Sequence, residues 1–552
     1  MKTDFDIAVI GSGFGGSLTA MIARRLGHSA ILLERGRHPR FAIGESSTPL
    51  ANLLLEELAL RYELPRLLPL AKWGSWQKTY PQIGCGLKRG FTFYHHQFEE
   101  PFRNDSQRRD QLLVAASPRD EIADTHWYRA DFDQFLVREA QGLGAEYLDQ
   151  TKLEALTFNG NSVKLEGERE GKSVSVQARF IVDASGPRGF LQRALRLPEA
   201  PFKDFPPTQA LYSHFTDVKR WEDSAPGSPM PSAAEQPPYP VDAAAVHHVF
   251  AGGWIWVLRF NNGITSAGVA ATDGLADALR FAEGQAGWNR LLKQLPSVRD
   301  LFNGATSQRP FVYTPRLSFR SAAVVGPHWA LLPSAAGVVD PLLSTGFPLT
   351  LQGIARLAGI LEAGWDSRRL EERLIDYARQ TLQELKVAAK LVSALYASMN
   401  DFPLFTALAL LYFAAASFTE TARRLHRTEL ASGFLLSGHP DFSTRLNSCC
   451  ERACRAYSEG NLASEARASL IDDVYRAIEP FDVAGLSDRA RRNWHPVGAR
   501  DLLNASGKLG VSKAKINQLL ARCGFLDVEE SSLAPGPPVA LQGHTTCDSL
   551  LS

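Results

Sequence analysis

Three glycines, one acid and a lysine among aromatic residues are the groups in this 552-residue sequence whose types and spacing point to chemistry. Gly11, Gly13 and Gly16 form a GxGxxG turn after the apolar run 5–10 and before residues 17–26, which have helical small and apolar spacing. Such a turn suits a dinucleotide: Gly11 allows the tight bend, Gly13 lets a pyrophosphate approach the backbone, and Gly16 lets helix pack on strand. The helix start offers unpaired N–H groups to the phosphates. Glu34, at the end of a second apolar run, is placed to accept hydrogen bonds from a ribose diol. Lys88 lies in a segment that also holds Trp73, Trp76, Tyr80, Phe91, Phe93, Tyr94, His95 and His96. That density suits a pocket for a flat ring, and it is also ordinary core material. By residue type alone Lys88 reads as a solvated loop lysine.

These groups need elements to hold them. Residues 5–34 predict strand, turn, helix and strand, and residues 50–60 an amphipathic helix entered through a loop with Gly44, Glu45, Ser46 and Pro49. That loop backbone can cradle an anion or a cofactor edge. Residues 97–120 are highly charged and predict an exposed loop, Asp131 is a plausible N-cap for a helix to Ala140, and Asn159-Gly160-Asn161 signals a hairpin. A strand ending in Asp183 and Gly186 suggests a second cofactor contact, and 334–346 leads into a helix from about Pro348. The expected domains are a cofactor domain (1–205 with 310–365), a β-sheet substrate domain (206–309, interrupted by a Pro/Ser/Ala-rich insertion at 224–240), a helical region (366–530) and a disordered tail (531–552).

Composition narrows the partners. The hydrophobic fraction of 45%, the charged fraction of 22% and the formal charge of +1 are those of an ordinary soluble protein, with no global field for nucleic acid or an anionic membrane. The apolar run 404–418 falls short of the roughly 20 residues that cross a bilayer, so it is expected as a buried helix, with a dock for a greasy substrate as the alternative. Six cysteines without a framework, and a first strand that leaves no room for a signal peptide, give the expectation of a cytoplasmic protein with reduced thiols. Cys449, Cys450 and Cys454 do not have metal-ligand spacing, and no metal is expected.

Several separated motifs then fall in one order. GSGFGG at 11–16 with Glu34, GES at 44–46, YRADFD at 128–133 and DASG at 183–186 resemble the FAD-binding monooxygenase fold. More narrowly, Lys88 in LKRGFTF with Phe93 five positions on, Trp254 and Trp256 in GGWIWVLRF, and DPLLSTG at 340–346 resemble the flavin-dependent halogenases. Two motifs depart from the family pattern: Leu258 and Arg259 stand where WxWxIP has Ile-Pro, and Val338 replaces the phenylalanine of FxxPxxSxG. The resemblance covers roughly residues 5–425. It implies an α/β flavoprotein with an FAD-binding Rossmann-like domain of the two-dinucleotide-binding flavoprotein class, an antiparallel substrate sheet and a helical C-terminal region.

By that resemblance FAD lies against Gly11, Gly13, Phe14, Gly15, Gly16, Glu34, Arg35, Glu45, Ser46, Arg129, Asp183, Gly186, Asp340 and Gly346. FADH2 and O2 give a flavin hydroperoxide, chloride or bromide held at the N–H groups of Thr345 and Gly346 attacks it, and Lys88 receives the hypohalous acid. Trp254 and Trp256, with Phe93 and Pro341, form a barrier between flavin and substrate. Indole-acting members carry a carboxylate where this chain has Leu343, so the expected substrate is an electron-rich phenol or pyrrole, free or carrier-tethered, with His95 or His96 as possible bases. No second GxGxxG appears, so a separate flavin reductase is the expected partner. A single-component FAD monooxygenase that hydroxylates an aromatic ring, and a non-catalytic flavoprotein, remain the alternatives.

Overall fold

The N-terminal motif folds as its pattern predicts in the computed structural model, which describes residues 4–224, 236–365, 367–460 and 463–525. Strand β1 (Asp4–Ile10) enters helix α1 (Phe14–Arg25) and leaves through β2 (Ala30–Leu33). Close packing makes the glycines obligatory. Gly11 has φ +97°, and a Cβ on Gly16 would stand 1.9 Å from the Gly11 carbonyl oxygen.

Helix α2 (Pro49–Arg61) follows, then strands β3 (Cys85–Lys88), β4 (Gly90–His95), β5 (Gln111–Ala115) and β6 (Asp124–Trp127). Helix α3 (Arg129–Gly142) leads to β7 (Glu146–Leu148), β8 (Thr151–Asn159), β9 (Ser162–Arg169) and β10 (Lys172–Asp183). In the first sheet β1 pairs in parallel with β2 on one side and β10 on the other, β2 continues to β7, and β10 continues to the short strand Trp329–Leu331. This is a Rossmann-type sheet whose central strands, β1, β2 and the C-terminal end of β10, are buried on both faces. The expected hairpin forms as β8–β9, with Gly160 at φ +58° in its turn.

The second sheet is built on β11 (Thr208–Thr216), β12 (Ala245–Phe250), β13 (Gly253–Arg259) and β14 (Thr265–Thr272). Residues 206–309 do not complete it. β12 pairs in parallel with β4, β4 pairs with β5, and β5 meets Trp494–His495. The expectation of an exposed loop at 97–120 is therefore corrected: β5 lies inside that range, and Leu112 and Leu113 are wholly buried. The charges that flank the short apolar run made it look like a solvated segment. Asp131 is not the cap of α3 either; Tyr128 occupies that position, and the Asp131 carboxylate accepts the Gly84 N–H at 2.9 Å. Residues 225–235, within the predicted insertion, and the predicted tail at 531–552 lie outside the described residues.

Helix α4 (Gly346–Glu362) packs on α1 and α2, and α5 (Ser367–Ser398), α6 (Phe402–Arg424) and α7 (Pro440–Ser458) extend the core. The apolar run at 404–418 is only part of α6, whose 23 residues are long and apolar enough to cross a membrane. Its most apolar window is 83% buried inside the fold, as a core helix would be. Cys449, Cys450 and Cys454 all lie on α7, the first two buried.

Gly16→Ala is expected to destabilise the protein by about 1–3 kcal/mol, because the added methyl would overlap the Gly11 carbonyl and crowd the Ala184 side chain. Gly142→Ala, at a helical glycine with open space around it, serves as control. Thermal melting with the bound flavin's absorbance reads both; equal melting temperatures and flavin content for the two variants would contradict the packing role.

Candidate active site

The dinucleotide cradle starts from Glu34. Its Oε2 accepts from the Ser12 N–H, the Ser12 hydroxyl and Arg40, while among the described residues Oε1 accepts only from the Gly36 N–H, so one oxygen keeps capacity for a ribose hydroxyl. Burial pushes the Glu34 carboxyl up, but Arg40 and the two backbone N–H groups outweigh it and hold the group below its ordinary range. Beside the turn, Arg40 Nε and His38 Nδ1 are buried with no hydrogen-bond partner among the described residues. A Cβ on Gly13 would come within 3.3 Å of the Arg129 guanidinium. Unpaired nitrogen groups around an open helix start fit the diphosphate of FAD. Arg40 and His38 were not legible as site residues, because they follow the motif in an irregular loop, whereas Arg35, which was expected there, is exposed.

Other expected cofactor contacts help to shape the cradle. Gly15 packs α1 against Leu332 and Thr350, and Phe14 stacks edge-on with Phe347 and Trp127 at 4.9 and 5.7 Å. Arg129 forms a two-pronged ion pair with Asp133 and donates to the carbonyls of Ile43 and Gly44, fixing the loop that precedes Glu45. The Asp183 carboxylate is taken by the Ser185 N–H and hydroxyl and the Leu191 N–H, which hold the turn to Gly186. Asp340 accepts from the Leu342 N–H, the Trp254 indole and the Tyr396 hydroxyl, and burial pushes its pKa up to about 7.

Lys88 is wholly buried, at the end of β3, so the reading as a solvated lysine falls. Its Nζ donates to the Ser46 hydroxyl at 3.0 Å and the Ser47 carbonyl at 2.5 Å and sits 3.7 Å from the Phe91 ring centroid. Gly86 makes this strand possible, since a Cβ there would meet the Arg259 carbonyl at 2.0 Å. Across the β3–β6 ladder the register partner of Lys88 is Asp124. Burial lowers the pKa of the lysine and raises that of the acid, and each charge partly offsets the other's shift. Asp124 Oδ1 accepts from Asn52 at 2.9 Å; Oδ2 has no partner among the described residues. Nothing in the local sequence DTHW marks this acid. Only strand register brings it to the lysine.

One wall of the site is aromatic. Phe93 stacks on His247 at 4.4 Å, His247 lies 5.2 Å from Trp254, and Trp254 lies 5.6 Å from Trp256, all buried on adjacent strands. The Trp254 indole is tied to Asp340, next to Pro341 and the turn that opens α4. Arg259, which departs from the motif, pairs with Asp242 and reaches the Val218 and Lys219 carbonyls, anchoring the strand end. At the turn, Leu343 and Ser344 both have positive φ, 66° and 55°, costly for non-glycine residues, and Leu343 is fully buried. The turn aims the start of α4, with Thr345 and Gly346, at a space where a Cβ on Gly346 would meet nothing. His95 and His96 are not at this site: His95 pairs with Asp110, and His96 bonds His248 in the core beyond the sheet, where burial takes its pKa to about 3.

A cavity of about 150 Å³ opens beside Asp124. Asn52 and Phe91 flank the acid, Tyr412 and Phe413 of α6 stand opposite, and Leu502 and Leu520 from the C-terminal segment close it.

The family model for FAD-dependent oxidoreductases matches residues 6–339. Tetracycline 7-halogenase of Kitasatospora aureofaciens is 27% identical over 94% of this chain and 95% of its own. Monodechloroaminopyrrolnitrin halogenase PrnC of Pseudomonas fluorescens is 29% identical over 73% of this chain and 70% of its own. Among solved structures, halogenase PltM in complex with phloroglucinol and FAD has a TM-score of 0.77 at 25% identity, over 88% of this chain and 99% of that one.

The buried pair gives opposite pH signatures when split. In Lys88→Met the Asp124 carboxyl loses its counter-charge, so its folded pKa rises further above 3.8; stability is then full below that value and lost as pH rises through the folded pKa. In Asp124→Asn the lysine's folded pKa falls further below 10.5, so stability is full above that value and lost as pH falls. Melting curves of the flavin-loaded proteins should show the first variant's deficit growing from pH 4 toward 8 and the second's growing from pH 10 toward 6. Deficits that do not change with pH would refute the coupling.

Proposed function

We propose that this chain, which belongs to the FAD-dependent oxidoreductase family, uses its flavin to halogenate an electron-rich aromatic ring. The observation that carries this reading is the burial of the Lys88 ammonium, held by the loop that borders the cofactor cradle and paired across the ladder with Asp124, which lines a cavity together with Phe91, Tyr412 and Phe413. Reduced FAD, when bound, supplies the activation of oxygen that oxidises chloride or bromide to hypohalous acid. The chain's own groups confine that product. The first N–H groups of α4, at Thr345 and Gly346, hold the halide at a helix N-terminus. Lys88 donates a hydrogen bond to the hypohalous acid or binds its halogen as a transient haloamine; a desolvated lysine suits both roles. The Phe93–His247–Trp254–Trp256 wall keeps the substrate ring from the flavin.

The substrate class follows from Leu343. With no carboxylate in that turn, the ring must activate itself, as a phenol or pyrrole does by releasing its O–H or N–H proton. The relatives named above act on or bind tetracycline, monodechloroaminopyrrolnitrin and phloroglucinol, in keeping with rings of this kind. A separate flavin reductase in the same compartment, the cytoplasm, supplies FADH2, and a carrier-bound ring is as compatible with the site as a free one.

The test is product analysis by mass spectrometry with FAD, a flavin reductase, NADH, bromide or chloride and a panel of phenols. Halogenated product is expected from the wild-type protein and should fall at least 100-fold in Lys88→Ala while flavin binding and reoxidation continue. Hydroxylated product without halide would replace this reading with a monooxygenase, and flavin reoxidation with no aromatic product would replace it with a non-catalytic flavoprotein.

A further inference from the structure

We propose that Asp124 is a catalytic residue: its unpartnered carboxylate oxygen accepts the acidic O–H or N–H proton of an aromatic substrate bound in the cavity that the C-terminal segment closes. The inference rests on the halogenase reading for its reaction and on independent geometry for its site. Asp124 is buried and lines the cavity, its Oδ1 is fixed by Asn52, and its Oδ2 has no partner among the described residues. A buried carboxylate oxygen left unsatisfied is costly unless something else fills the place. A cavity of this size takes one benzene-sized ring.

Other groups near the cavity are less suited. Glu420 is held by Arg424 at 2.8 Å, and burial pushes the Tyr412 hydroxyl up, away from ionisation. His126, two residues along β6, is taken down to about 3 by burial and by Lys88, which makes it a poor proton acceptor near neutral pH. Lys88, Glu420, Arg424 and Tyr412 are the titratable or charged groups whose fields couple with Asp124, and Asn52 donates to it. Burial brings the acid's affinity for a proton toward neutrality, the range in which a general base works best.

The step balances as follows. The ring carbon attacks the halogen of hypohalous acid at Lys88; the C–X bond forms, the X–O bond breaks, and its electron pair leaves on oxygen, which takes a proton from the Lys88 ammonium and departs as water. The phenol O–H proton passes to Asp124. The ring C–H proton then goes to the neutral lysine, the phenol recovers its proton from Asp124, and the net change is ArH plus HOX to ArX plus water.

Two measurements on the flavin-loaded protein test this. In binding, phenol should be preferred over anisole at least 10-fold by the wild type, and that preference should shrink several-fold in Asp124→Asn and vanish in Asp124→Leu. In turnover, the ratio of wild-type to Asp124→Asn rate should exceed 100 for phenol and fall as the phenol becomes more acidic, to within about 10 for a difluorophenol. A merely structural role would slow every phenol by one factor, and that result, or equal binding of phenol and anisole by the wild type, overturns the assignment. If the wild type separates phenol from anisole through Asp124 yet halogenates neither, the proton-accepting site stands and the halogenase reading fails.

Discussion

An ammonium group inside a protein core is tolerated only when its surroundings replace the water it has lost, and the arrangement around Lys88 is organised by that requirement. Three different segments meet it. Ser46 and Ser47 come from the loop after the cofactor cradle, Phe91 from the next strand, and Asp124 from the strand paired with the lysine's own. Replacing any one of them leaves a charge whose cost the others do not offset. The same contacts couple the cradle to the cavity, because the Arg129–Asp133 pair that fixes the carbonyls of residues 43 and 44 also sets the course of the loop that reaches Lys88.

The second constraint is separation. An oxidised halogen reacts with whatever it meets, so a site that makes it must keep ring, flavin and water apart. The aromatic row from Phe93 to Trp256 is rigid because each ring is buried and neighbours the next, and because the Trp254 indole is bonded to Asp340. Asp340 is in turn bonded to Tyr396 of α5. The wall is thus pinned from behind by the helical region, which also supplies Tyr412, Phe413 and the C-terminal leucines to the cavity. Residues beyond 366 therefore contribute both to the wall's support and to the cavity's lining.

How much of this was legible depended on whether the physical requirement is local. The GxGxxG turn is a local steric demand, seen in the 1.9 Å that would separate a Gly16 Cβ from the Gly11 carbonyl, and so it can be read from a few residues. Lys88 was legible only through resemblance, since a lysine's burial depends on partners far along the chain. Asp124 was not legible at all. Its place beside Lys88 arises from register between two short strands, and a single acid among polar neighbours carries no periodic signal. The strand at Gln111–Ala115 was hidden for a related reason: it is five residues long, and the charged flanks dominate any window wide enough to show periodicity. Asp183, at a strand end, and Asp340 were both read as cofactor contacts, but sequence does not reveal the groups that hold them, Ser185 and the Leu191 N–H for one and the Leu342 N–H, Trp254 and Tyr396 for the other.

The placement of acid in the site also explains why Leu343 is tolerated. A carboxylate at 343 would sit at a fully buried position in a strained turn with two successive positive-φ residues, where an added charge would need new partners. On β6 the acid already has them: Asn52 for one oxygen, and the field of Lys88 across the ladder. From there a single carboxylate can bias the charge of the lysine and meet the proton of a ring in the cavity. A substrate that needs no more than that proton removed makes an acid at 343 superfluous. On the reading proposed above, the chemistry of the ring and the position of the acid are one choice, made by the register of the β3–β6 ladder.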